Sequence, residues 1–137
     1  MSAVSAVAID TAIVTALKAS AAIKALVGNP ARVYDHVPEE TAYPYIEVGE
    51  VVDTPFDDKS TTGLEHAITL HVWSRYRGRK ETKQILDALH ALLHRGTLTV
   101  SGNSHVLTRF VSNSTFRDPD GLTYHGVAIY DVIVQST

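Results

Sequence analysis

The stretch 64-LEHAITLHVW-73 alternates between two sets of side chains with a period of two. The first set is mainly apolar and comprises Leu64, His66, Ile68, Leu70 and Val72; the second comprises Glu65, Ala67, Thr69, His71 and Trp73. Successive side chains of a β-strand point to opposite faces of its sheet. The stretch therefore predicts a strand with one face buried and the other more polar.

Two helical patterns flank this strand along the chain. Apolar residues at helical spacing predict one amphipathic helix from Val7 to Val27, which Gly28-Asn29-Pro30 ends. A second helix is predicted from Lys80 to Arg95, followed by Gly96. Its expected buried stripe consists of Ile85, Leu86, Leu89, Leu92 and Leu93.

Shorter extended segments complete the pattern. They span residues 32–35, 45–52, 98–100, 105–111 and 122–134. We expect strands 45–52 and 64–73 to be antiparallel neighbours and the last strand, apolar on both faces, to be interior. The order of elements predicts an α+β fold: a single domain, residues 1–137, with a mostly antiparallel sheet of about five strands and two helices packed on one face.

Turn residues punctuate these strands. Gly49-Glu50 disturbs the alternation and predicts a bulge. The tetrapeptide 101-SGNS-104 predicts a hairpin, and 117-RDPDG-121 predicts a tight turn because Pro presets φ and Gly accepts a positive φ. The stretch 53-DTPFDDKSTTG-63 is typical of a long flexible loop.

The composition excludes several classes of protein. The chain of 137 residues has no cysteine, which excludes disulfides, thiolate metal sites and cysteine nucleophiles. Its formal net charge of −3 argues against a nucleic-acid binder that acts through bulk electrostatics. Asp10, Lys18 and Lys24 interrupt the Ala-rich start, so we expect neither a signal peptide nor a membrane helix, and synthesis in the cytoplasm.

The histidines and carboxylates give no catalytic or metal-binding motif. His90 and His94 lie four apart on the second helix, but the sequence shows no third ligand beside them. His66 and His71 fall on opposite faces of one strand, and His66 is expected to be a hydrogen-bonded core residue. Asp118 and Asp120 fit a plain turn better than a calcium loop. We predict no enzyme activity, no metal and no cofactor.

Charge is segregated along the chain. Residues 35–65 contain nine carboxylates and one cation, Lys59, whereas residues 75–83 contain five cations and one carboxylate, Glu81. Two interpretations stay open. The two regions are either solvated surfaces or complementary patches suited to head-to-tail packing of copies. The arginines around Tyr76 also leave weak contact with nucleic acid open.

The order of short motifs resembles the small tail terminator, or tail completion, proteins of long-tailed phages and phage-like particles, including gene transfer agents. The most specific segment runs from Glu65-His66 through 70-LHVWSR-75 to Gly78. The resemblance covers nearly the whole chain. The other matching segments are 26-LVG-28, 32-RVYD-35, Val37-Pro38, 43-YPYI-46, Gly49-Glu50, 91-ALLH-94 and 117-RDPDG-121.

This resemblance implies a structural protein rather than an enzyme. It implies a hexameric ring, made in the bacterial cytoplasm and placed in the virion tail or neck, that caps the head-proximal end of the tail tube and stops its polymerisation. The implied partners are further copies of the chain, the tail tube protein and the head-completion or connector protein, with DNA only passing through the lumen and no membrane.

Nine residues are our candidate assembly contacts: Asp53, Phe56, Asp57, Asp58, Lys59, Arg75, Arg77, Arg79 and Lys80. Three alternatives remain at this point. The chain is another neck or head–tail joining protein of the same particle, a small enzyme centred on His90/His94 or His71, or a monomeric domain without an assembly role. The sequence does not distinguish an infectious phage from a defective prophage or a gene transfer agent.

Overall fold

A computed structural model describes residues 4–137, and its centre is a mixed five-stranded sheet. The strands are β1 (Val33–Tyr34), β2 (Tyr45–Pro55), β3 (Gly63–Ser74), β4 (Asn103–Arg117) and β5 (Tyr124–Ser136). Their order across the sheet is β1-β2-β3-β5-β4. All pairs are antiparallel except β1 with β2, which is parallel, so the expected α+β sheet of five strands is confirmed as a mixed sheet.

The helices number three among the described residues, rather than the expected two. They are α1 (Ala6–Ala19), α2 (Ala21–Val27) and α3 (Lys80–Leu93). The prediction of one helix from Val7 to Val27 is wrong because Ser20 has an extended backbone and its hydroxyl accepts the Ile23 N–H at 3.3 Å, which starts a new helix. α1 and α2 are bent by 75° at this break. No single described helix is long and apolar enough to cross a membrane; α1 and α2 reach that length only together, across the bend.

The alternation of β3 decides which face of the sheet is buried. His66, Ile68, Leu70 and Val72 are at most 1% exposed, as the sequence predicts. Ile68, Leu70 and Val72 pack in one core with side chains of all three helices, among them Ile9, Leu17, Ile23, Ile85 and Leu89. The core includes no side chain from the opposite face of β3, so the described helices cover one face and leave the other open.

Several strand boundaries differ from the sequence predictions; the largest difference is β4, which spans Asn103–Arg117 where a strand over 105–111 was expected. β2 and β3 extend into the expected loop 53–63 and shorten it to residues 56–62. Leu98 to Val100 forms no strand, so the hairpin predicted at 101–104 is wrong: Leu98 and Val100 are buried, and a turn from Val100 leads into β4, which among the described strands pairs only with β5. The predicted final strand starts two residues late, at Tyr124, because Leu122 and Thr123 are held in the preceding turn by Asp120.

Other local predictions are confirmed. β2 and β3 are antiparallel neighbours with a register shift at Gly49-Glu50, and β5 lies in the sheet interior between β3 and β4. The turn after Arg117 closes through a bond from Gly121 N to the Asp118 carbonyl at 3.0 Å, with Gly121 at φ +74°.

The end of α3 differs slightly from the prediction. This helix ends at Leu93, two residues before the predicted end, and Arg95 takes a positive φ of 59°.

Candidate assembly surfaces

The acidic tip, residues 56–62, is the turn that joins β2 to β3. Its ends meet through a bond from Phe56 N to Gly63 O at 3.0 Å. The Asp57 carboxylate accepts the Gly63 N–H at 2.8 Å, and Asp58 Oδ1 accepts the N–H groups of Ser60 and Thr61 at 2.9 and 2.7 Å. These bonds fold the tip on itself, so it is a structured turn rather than the long flexible loop expected from sequence.

The same bonds fix the charge of the tip. The N–H groups of Ser60 and Thr61 lower the pKa of the Asp58 carboxyl below its ordinary value. Asp57, Asp58 and Lys59 are exposed, and Phe56 beside them is 40% exposed. The tip therefore presents a partly exposed aromatic ring that is followed in the chain by two exposed carboxylates.

Asp53 has a different environment from the rest of the acidic residues. Its carboxylate lies 2.6 Å from Nδ1 of His66, and the Asp10 carboxylate of α1 lies 2.7 Å from Nε2 of the same ring. The His66 side chain is fully buried. A neutral imidazole donates through one nitrogen only, so two such contacts require either an imidazolium or a protonated carboxyl. This triad ties α1 to β2 across β3.

The prediction that His66 is a hydrogen-bonded core residue is confirmed, but the sequence reasoning missed its partners. One signal was present: Asp10 is the only carboxylate in the Ala-rich segment 4–27. A lone acid among apolar helical positions needs a polar partner if its face is buried.

The basic turn, residues 75–80, follows β3 at the opposite end of that strand. Arg75, Arg77, Arg79 and Lys80 are all exposed. Arg75 Nε donates to Thr123 Oγ1 at 3.2 Å, and its guanidinium carbon lies 4.5 Å from the centre of the Tyr43 ring. The basic turn is thus joined to the turn between β4 and β5.

That second turn confirms the plain reading of Asp118 and Asp120. Asp120 accepts the N–H groups of Leu122 and Thr123, both at 2.8 Å, and the Thr123 hydroxyl at 2.7 Å. The backbone N–H and hydroxyl of Thr123 lower the pKa of Asp120 below its ordinary value. These contacts build the turn.

The two candidate surfaces lie at opposite ends of the sheet. β3 has twelve residues from Gly63, next to the acidic tip, to Ser74, next to the basic turn. At about 3.3 Å per residue its ends are about 36 Å apart. The nine carboxylates of residues 35–65 do not form one patch, because the length of β2 separates them. Asp35 and Glu40 precede this strand, whereas Asp57 and Asp58 follow it.

The open face of the sheet carries an aromatic and histidine cluster that the sequence reasoning missed. The Trp73 ring stacks on His125 with centres 3.8 Å apart, and Phe116 meets His125 edge-on at 4.8 Å. His71 Nδ1 lies 2.7 Å from His125 Nε2, so one nitrogen donates and the other accepts. Burial, followed by the neighbouring His71, lowers the pKa of His125. Alternation placed His71 and Trp73 on this face, but finding His125 required the register of β5.

Gly49 gives His71 its place in this cluster. A Cβ at position 49 would lie 2.5 Å from Cδ2 and Nε2 of the His71 ring. The bulge in β2 brings the glycine backbone against the ring, and Glu50 beside it contacts His71 Nε2 at 3.2 Å. The bulge predicted at this position therefore shapes the open face.

His90 and His94 do not form a chelating pair. Their rings stack with centres 4.8 Å apart, and His94 Nδ1 accepts the Phe110 N–H at 3.0 Å. Within residues 4–137, no three His, Cys, Asp or Glu side chains are placed to hold a metal ion together. His94 instead supplies an acceptor for the backbone of β4.

Comparison with known proteins relates this arrangement to one family. A profile of the family described as tail completion protein gp17 matches residues 11–135. The chain belongs to the tail completion protein gp17 family. The resemblance inferred from the short motifs is thereby confirmed.

One relative in this family is the tail completion protein gp17 of Bacillus phage SPP1. It is 30% identical over 89 residues, which span 65% of this chain and 66% of that protein. The solved structure of bacteriophage SPP1 gp17 has a TM-score of 0.58 at 25% identity, over 91% of this chain and 87% of that one. A chain in the virion of a native gene transfer agent particle has a TM-score of 0.88 over 98% of this chain and 100% of that one. Its identity is 24%, so this likeness shows a shared fold.

Proposed function

We propose that this chain is the tail completion protein of a phage or phage-like particle, acting by binding and not by catalysis. The observation that carries the proposal is the match of the tail completion family over residues 11–135. The likeness along the full chain to a component of a gene transfer agent virion supports it. In this role the chain is made in the bacterial cytoplasm and resides in the tail or neck of the particle.

The finer proposal is a ring of six copies at the head-proximal end of the tail tube. The ring occupies the growing end of the tube with a surface that offers no further polymerising site, and its other side receives the head connector. DNA passes through the lumen without specific binding. An open sheet face and opposite charges at the two ends of β3 support an assembling protein, because both offer surface for contacts with other chains.

Deletion of the gene for this chain in the bacterium that makes the particle tests this function. We expect tubes of excessive and variable length that are not joined to heads, and restoration by the wild-type chain. Tubes of normal length that fail to join heads would instead support the alternative of a head–tail joining protein. Normal, complete particles without the chain would overturn both.

A further inference from the structure

The acidic tip carries a partly exposed aromatic side chain, Phe56. Phe56 is 40% exposed although it lies between β2 and a tightly bonded turn. Asp57 and Asp58 each use Oδ1 for the bonds that shape the tip. Within the part of the chain that the structure describes, their Oδ2 atoms accept no hydrogen bond, so two carboxylate oxygens remain for another molecule.

The opposite end of the sheet has the complementary chemistry. A cleft of about 380 Å³ lies beside Arg75, lined also by Pro38, Tyr43 and Tyr45. Arg75 donates through Nε to Thr123 and places its guanidinium over Tyr43; among the described residues its Nη groups donate no hydrogen bond, so they remain available to a ligand. Burial raises the pKa of Tyr45 to about 12, so this phenol stays neutral and adds no negative charge.

The basic turn and the turn between β4 and β5, which lie beside the cleft, carry a net positive charge, whereas the segment 37–47 on its other side is acidic. The segments 75–83 and 117–123, which meet at this end, contain six cations and three carboxylates. Two of the three carboxylates are already bonded: Glu81 accepts the Ser74 hydroxyl, and Asp120 shapes its own turn. Glu40 lines the cleft and Glu47 lies two residues beyond Tyr45, so a docked carboxylate would have to avoid both.

We infer that the acidic tip of one copy docks into the Arg75 cleft of a second copy, with Phe56 against the tyrosine rings and Asp57 or Asp58 against the basic turn. The chain's own tip is about 36 Å from its own cleft, at the far end of the same hairpin, so the contact is intermolecular. Aromatic and Arg side chains that are buried in a pocket of the partner carry much of the binding energy of an interface, and complementary charges around them give specificity. This inference rests on the proposed function, since it names the contact between copies in the ring.

The contact also sets how the subunits lie. It joins two different surfaces, so it is heterologous and closes into a ring only if each copy is rotated with respect to the last. The contact joins copies end to end along the direction of β2 and β3. If these strands lay parallel to the ring axis, the contact would stack the copies into an open filament. In a ring, β2 and β3 therefore run around the circumference rather than along the axis.

Site-specific cross-linking in assembled particles tests the contact. The chain has no cysteine, so Ser60→Cys on the tip and Ala42→Cys beside the cleft can be introduced together without competing thiols. Both positions lie outside the core. A short bismaleimide should then join neighbouring copies into a ladder of covalent multimers, whereas each single variant should give none beyond dimers. The matched control pairs Ser60→Cys with Ala19→Cys, which is exposed at the end of α1, and should give no ladder.

The outcomes separate this inference from the proposed function. Absence of the wild-type chain from purified particles would overturn the proposed function. Incorporation of the double-cysteine variant without multimers beyond those of the control pair would overturn the docking contact alone.

Charge reversal gives an independent readout. Ser60→Lys and Arg77→Glu should each lower incorporation into particles at least about threefold, and the chain that carries both should recover. Lys18→Glu changes the net charge as much as Arg77→Glu but lies on α1, so incorporation should stay at the wild-type level. Equal incorporation of all four variants would contradict the contact.

Discussion

Replacement of His66 by Leu should destabilise the fold by about 2 kcal/mol. The fully buried ring makes contacts of 2.6 and 2.7 Å with the carboxylates of Asp53 and Asp10. Hydrogen bonds to charged groups contribute about 1.5–3 kcal/mol each, so the two together contribute at most about 3–6 kcal/mol. The Asp10 and Asp53 side chains are 44% and 32% exposed, so water can replace part of each lost bond.

Leucine recovers a further part of this loss. Burial of its apolar side chain returns about 1–2 kcal/mol, which brings the net cost to about 2 kcal/mol. For a two-state chain of 137 residues this corresponds to a fall in Tm of about 7 °C. Urea unfolding followed by fluorescence measures the change, because Trp73 is the single tryptophan and lies in the sheet.

The matched control is His36→Leu, which removes an exposed histidine and should change the free energy of unfolding by less than about 0.5 kcal/mol. A His66→Leu protein as stable as this control would show that the two carboxylate contacts contribute nothing. That result would refute the view that the triad holds α1 against β2.

Three further predictions follow from the structure. Burial lowers the pKa of His105 and of His125, so these histidines take up protons in the unfolded chain at a higher pH than in the folded chain. The free energy of unfolding should therefore fall as the pH falls from 7 to 5.5, through the ordinary histidine pKa of about 6.5. His105→Gln should make this dependence on pH weaker. Gly49→Ala should cost about 1–3 kcal/mol in urea unfolding and change the Trp73 emission, because the new Cβ displaces the His71 ring. Treatment of the purified protein with EDTA should leave its unfolding midpoint unchanged, since no described group of side chains is arranged as a metal site.

Each of these predictions has a result that contradicts it. A wild-type stability that is flat or rises between pH 7 and pH 5.5 would contradict the lowered pKa values of His105 and His125. A Gly49→Ala protein with wild-type stability and emission would show that the β2 bulge adjusts without moving His71. A lower midpoint in EDTA would support a metal-dependent protein and reopen the histidine-centred alternative.

The sequence predicted those parts of the fold in which local pattern and burial agree. The alternation of residues 64–73, the Gly49-Glu50 bulge and the 117–121 turn each depend on neighbouring residues only, and all three are confirmed. The single long helix was wrong because Ser20 lies within an otherwise continuous apolar pattern, and its capping of α2 outweighs the local propensity. Leu98 and Val100 are buried without a strand, which apolar content alone does not reveal.

The surfaces depended on pairings that distant segments make. The partners of His66 come from positions 10 and 53, and His125 reaches His71 through the register of β5 with β3. Segregated charge was visible in the sequence, but the separation of the acidic tip from the basic turn required the length and direction of β3. The nine candidate contacts remain predictions that the cross-linking and charge-reversal experiments address.

The length of tail tubes polymerised with and without this protein tests the central claim most directly. Purified tube protein is assembled in the presence of increasing amounts of the chain, and tube lengths are measured by electron microscopy. We predict that the chain stops elongation and sits at one end of each tube as a discrete ring of about 90 kDa, six copies of 14.9 kDa. A length distribution that does not change with added protein, with no ring at either end, would contradict the claim.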